Sequence, residues 1–194
     1  ALIILGLSAL YAGNIARALD LCRECVERAR PLGDRWLLGN TLVNLADSTG
    51  QAGDYDTAEL LLHEAVGATL ELGAQGNMVW FLESLAGVYI EQHRVERAIR
   101  VLAATDSYRT DQGLPLFAAE QRRIESFITR ARSEAGPVRF GLAWSGGQSL
   151  TLNQVVNEVL LVRQERHGGV FITRDHVGAP YDQRTEEALT AAPW

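Results

Sequence analysis

Few residues in this chain invite a chemical reading. Cys22-Arg23-Glu24-Cys25 has the spacing of a redox or metal pair. A zinc site needs a second Cys or His pair, and none follows at ligand spacing. Two cysteines three residues apart do not make a disulfide framework either. Both are read as packing residues within a helix. Ala143-Trp144-Ser145-Gly146-Gly147 has the outline of a nucleophile elbow, with His167-Gly168-Gly169 as an oxyanion loop and Asp175-His176 as triad partners. An elbow raises its Ser on a turn between a strand and a helix. Here the preceding pattern is helical, so a serine hydrolase is only a remote alternative and no catalytic residue is assigned. His63, His93, His167 and His176 do not pair at metal-ligand spacing and read as solvated or half-buried. No metal and no cofactor is expected. Arg122, Arg123, Arg130 and Arg132 interleave with Glu120, Glu125 and Glu134, the pattern of a salt-bridged, solvated helix face.

The elements that carry these residues follow from composition and periodicity. The chain has 194 residues, 47% hydrophobic and 22% charged, which describes a folded globular protein. All 18 basic residues are Arg, against 24 acidic ones, for a net charge of −6. That balance argues against direct nucleic-acid contact, which needs clustered cations to displace counterions. The apolar opening from Ala1 to Ala12 is too short to span a bilayer. A cytoplasmic setting without membrane contact is expected. Met78 is the only methionine and the chain opens on Ala1, so further sequence upstream is expected.

A shift of forty residues, applied twice, superposes the sequence on itself. Leu2, Leu42 and Leu82 coincide, as do Leu5, Leu45 and Leu85. Ala18, Ala58 and Ala98 coincide, as do Gly33, Gly73 and Gly113. Apolar residues recur at three- and four-residue spacing, so each unit reads as two helices. The first helices cover roughly 1–11, 36–49 and 78–91; the second cover 15–30, 55–72 and 95–109. Asn14 and Asp54 stand as N-caps, and the closing glycines suit left-handed helix ends. Gly6, Ala46 and Ala86 would meet Ala18, Ala58 and Ala98 where the two helices of a unit cross.

The small residues carry a family resemblance. Ala46, Ala58 and Ala65, and then Ala86, Ala98 and Thr105, resemble the tetratricopeptide pattern, with Tyr89 at the family's Tyr position. The family's Trp is replaced by Leu2, Leu42 and Leu82, and its closing Pro by Arg30, Leu70 and Thr110. The period of forty exceeds the usual 34 or so. What the resemblance implies is an all-α fold: a right-handed α-solenoid of three helix pairs over residues 1–113.

Residues 114–166 read as helices capping that array. One runs from Phe117 and Ala118 through Ile124, Phe127 and Ile128 to Ala135-Gly136. Pro137 opens a second, carrying Phe140, Leu142, Ala143 and Trp144. Thr151-Leu152-Asn153-Gln154 is a capping box before a Val-rich third. Residues 167–194 read as a tail or linker, with Val170–Thr173 as either a short strand or a docking segment and Glu186–Ala192 as a short helix. Over residues 36–163 the order, with its Ala143-Trp144, Gly147 and Leu150-Thr151-Leu152 segment, resembles the end of the helical-repeat region of bacterial regulators. Those regulators join a signal-transducing nucleotidase domain to a tetratricopeptide array, and many are LuxR-type transcription factors. No nucleotidase motif and no LuxR-type helix-turn-helix lies in this chain.

The resemblance implies a non-catalytic interaction and regulatory module. Its partner would be a protein or peptide, another domain of the same full-length chain, or a second copy. The alternative is a free-standing scaffold or peptide-binding adaptor. Groove positions carried over from the family are Asn40, Val43, Asp47 and Gln51 from the second unit, and Trp80, Glu83, Ile90 and Glu91 from the third. Either these residues bind a segment, or Trp80 packs on its neighbouring repeat and the polar groups face water.

Overall fold

The computed structural model describes residues 2–70 and 75–167, and among these every regular element is helical. The helices are α1 (Leu2–Tyr11), α2 (Ile15–Ala29), α3 (Arg35–Gln51), α4 (Tyr55–Thr69), α5 (Gln75–Glu91), α6 (Val95–Gln112), α7 (Ala118–Gln148) and α8 (Leu152–His167). Gly73, His176 and the readings placed on 170–173 and 186–192 lie outside the described residues.

Side chains at the helix starts explain where several elements begin. Asn14 Oδ1 accepts from the Arg17 amide at 3.1 Å and Asp54 Oδ1 from the Thr57 amide at 3.0 Å, as the cap pattern predicts. Asp34 does the same for Leu37 at 2.9 Å. Between α5 and α6 this device changes. His93 takes the left-handed conformation (φ 58°) that Gly13 and Gly53 hold in the two earlier turns, and Arg94 caps without a side-chain bond. Arg94 reaches instead to Glu59.

Consecutive helices pack on one another from α1 to α7, and α1, α3, α5 and α7 also touch in succession, forming one continuous layer. Ala18, Ala58 and Ala98 are all fully buried. The expected pairing of Gly6 with Ala18 is not seen: a Cβ on Gly6 would meet Cys22 and Leu21, and Ala58 lies beside Gly50. Leu42, Leu45, Leu82 and Leu85 are core residues too. Their counterpart Leu5 is 53% exposed, and Ile4 and Tyr11 are exposed beside it. The reason is neighbours: α3 and α5 are flanked on both sides, whereas α1 packs against α2 and α3.

Residues 114–163 share the core of the preceding helices, so no boundary falls at Gly113; the first compact unit runs to Arg163. Gly136 breaks α7 with φ 74° and ψ 164°, and Pro137 starts its second half, as the Gly-Pro pair predicts. Thr151 and Gln154 form the expected capping box: the Gln154 side chain accepts from the Thr151 amide at 2.8 Å. Val155, Val156 and Val159 of α8 are buried. Phe117 and Ala118 do not join the core; Phe117 is 76% exposed where α7 begins, and Ile124 is the first residue of α7 that is buried.

Arginines tie the layers together across helices. Arg30 meets Glu64, Arg94 meets Glu59, Arg130 meets Glu91, Arg139 meets Glu96 and Arg100 meets Glu158, each pair at 2.6 or 2.7 Å. The basic face of α7 is thus used differently from its sequence pattern. Arg130 reaches α5, and Arg132 lies over the Phe140 ring at 4.6 Å. Among the described residues no helix is long and apolar enough to cross a membrane.

Candidate functional site

The sequence-derived chemistry separates first. Cys22 and Cys25 are buried free thiols, and Cys22 Sγ sits 3.6 Å from Ser48 Oγ. Burial pushes both thiols above their ordinary pKa. Ser145 is exposed inside α7, with no strand–turn–helix around it. Among the described residues no group of His, Cys, Asp or Glu is arranged to hold a metal ion. His63 departs from its solvated reading: it is 1% exposed, with Nε2 3.9 Å from Glu59 Oε1. Arg94 Nη1 lies 2.7 Å from both oxygens of Glu59. Burial works against ionised Glu59, but Arg94, Gln92 and His63 together carry its pKa below the usual value. The guanidinium of Arg94 also stacks 4.2 Å over Tyr89, so this cluster is filled by its own members.

A groove of about 590 Å³ crosses α1, α3, α5 and the first half of α7. That volume lies within the usual range for ligand clefts. Of the residues assigned to the groove, Asp47, Gln51, Trp80 and Glu91 line it. Three other assigned residues are not available at its surface. Val43 and Ile90 are buried in the core at 0% and 1% exposure. Glu83 is buried at 2%, where it bonds Arg109 through both carboxylate oxygens. Asn40 is half-buried outside the groove lining, and its Oδ1 accepts from Asn77 Nδ2 at 3.3 Å.

The structure adds residues that the sequence reading missed, among them Leu7, Tyr11, Ser84, Gly87, Arg123 and Phe127. Their spacing is regular. Leu7, Asp47, Gly87 and Phe127 are forty residues apart, and so are Tyr11, Gln51 and Glu91. Carrying the forty-residue frame one step further, into α7, is the signal that finds Phe127. Gly87 leaves room for Phe127: a Cβ at that position would lie 2.6 Å from Phe127 Cζ, so the ring would have to shift.

The groove is amphipathic. Trp80, half-buried and tilted 5.7 Å from Phe81, stands with Tyr55, Val88 and Phe127 as its apolar part. Asp47, Glu91 and Glu120 supply three carboxylates against the single guanidinium of Arg123. Two of the three are committed elsewhere. Glu91 bonds Arg130, which holds its carboxyl below the usual range. Glu120 accepts from the Phe117 amide at 3.2 Å. Asp47 differs: burial raises its pKa, and the opposing help from Arg123 and Ser84 does not restore it. Arg123 donates to Ser84 Oγ at 3.1 Å and lies 4.0 Å from Glu83, so its charge is shared. No family model, curated protein or solved structure matches this chain.

Proposed function

We propose that this chain is a non-catalytic protein-interaction and regulatory module, built as a right-handed solenoid of tetratricopeptide-like helix pairs. The single observation that carries the reading is the groove whose lining recurs at forty-residue steps across the alternate helices α1, α3, α5 and α7. An array of that kind offers an extended surface suited to a polypeptide segment. Half-buried Trp80 supplies an aromatic anchor of the type that dominates such contacts. The resemblance to the repeat region of signal-responsive bacterial regulators places the module, in this proposal, downstream of an ATPase domain in a larger transcriptional regulator. Binding in the groove would then bias how the array packs on that domain.

Selection from a phage-displayed library of random peptides tests the groove. Wild type should enrich sequences that neither Trp80→Ala nor the exposed-site variant Gln51→Arg retains, with circular dichroism showing both variants folded. Equal enrichment on all three proteins would defeat the groove assignment. An open reading frame encoding a phosphate-binding loop upstream supports the larger regulator; its absence leaves a free-standing adaptor.

A further inference from the structure

Resting on the reading of the groove as a docking surface, we infer that it takes an extended peptide segment whose cationic side chain sits on Asp47, with an apolar side chain against Trp80. Length argues for a polypeptide. The lining spans four neighbouring helices; three interaxial steps of about 8–10 Å make a track of roughly 25–30 Å. An extended segment of about eight residues covers that distance.

Charge argues for the cation. Glu91 and Glu120 are held by Arg130 and the Phe117 amide. Asp47 receives Ser84 and a share of Arg123, and Arg123 is drawn toward Ser84 and Glu83. The raised pKa of Asp47 agrees with a carboxylate whose surroundings compensate it incompletely. A guanidinium arriving in the groove would supply two parallel N–H donors to that carboxylate. Trp80 lines the same groove, so an apolar residue near the cation finds an aromatic surface. An acidic peptide would meet three carboxylates against the one lining guanidinium, Arg123, which is already drawn to Ser84 and Glu83, and is disfavoured.

The phage selection provides the probe. Peptides that depend on Trp80 should carry Arg or Lys beside an apolar residue. The strongest of them is then synthesised with its cation intact, and again with citrulline, the neutral isostere of Arg, in its place. Fluorescence anisotropy should show about a tenfold or greater loss of affinity on that exchange. Asp47→Asn should abolish the difference between the two peptides. Gln51→Arg, which places a guanidinium one helical turn from Asp47, should weaken the cationic peptide more than the citrulline one. Trp80-dependent peptides without a cation, or equal affinity for both synthetic forms, would overturn the Asp47 seat while leaving the groove standing. Failure to obtain any Trp80-dependent peptide would overturn both.

Discussion

Arg109 of α6 grips Glu83 of α5 with two nitrogens, Nε at 2.8 Å from Oε1 and Nη2 at 3.0 Å from Oε2. The carboxylate is almost wholly withdrawn from water, and burial of Arg109 is outweighed by this partner, which leaves its pKa raised. Removing one member strands the other. Glu83→Ala should lower stability by about 3 kcal/mol, seen as a shifted urea midpoint at unchanged slope. Replacing both residues by Met should restore most of that loss. A double variant as unstable as the single one would contradict the account.

Asp47→Asn should stabilise the protein at neutral pH. The folded-state pKa of Asp47 is raised above its ordinary 3.8, chiefly by burial. Above that value the folded state holds a proton that the unfolded chain has released, so stability falls as pH climbs through the interval between the two pKa values. Asn carries no charge to desolvate. Thermal unfolding at pH 7 should give the variant the higher midpoint, and the gap should close below about pH 4. A wild type more stable than the variant at pH 7 would show that Asp47 is well compensated.

Two glycines of α7 should respond in opposite directions to Ala. A Cβ on Gly147 would stand 2.5 Å from the Arg100 carbonyl oxygen and 2.8 Å from Ala103 Cβ. Backbone cannot swing aside, so Gly147→Ala should cost about 1–3 kcal/mol. A Cβ on Gly141 meets nothing within 4 Å. Gly141→Ala should therefore gain up to about 1 kcal/mol from helix propensity. Chemical denaturation of both variants checks the pair.

Cys22 and Cys25 should resist thiol reagents in the native protein. Both are buried, and burial raises both pKa values, so little reactive thiolate is exposed near pH 8. Ellman's reagent should titrate them slowly until denaturant is added, then at once. Rapid native labelling would revive the redox reading of the Cys-x-x-Cys spacing.

The helices were legible in the sequence because local rules and packing agree. Ala18, Ala58 and Ala98 recur at forty-residue steps and all three are fully buried, although Gly6 faces Cys22 and Leu21 instead of Ala18. Asn14 and Asp54 marked helix starts that their side chains do cap. The groove was only half legible. Val43 and Ile90 lie close in sequence to groove-lining residues, Ala46 and Asp47 on α3 and Glu91 on α5. Those helices are flanked on both sides, which narrows the open stripe and leaves the two residues inside. Glu83 looked like a surface carboxylate because nothing local announces Arg109, 26 residues away. Arg123 and Phe127 were assigned to a cap, although the forty-residue step leads from Gly87 to Phe127.

The break at Gly136 divides labour along α7. Residues before it supply Arg123 and Phe127 to the groove wall; residues after it bury Phe140, stack it on Trp144 at 5.4 Å, and lead into α8. At that joint the helical conformation lapses, so torque applied to one segment need not bend a continuous rod to reach the other. The wall that carries Phe127 and the segment that buries Phe140 are thus two helical pieces joined at one non-helical residue.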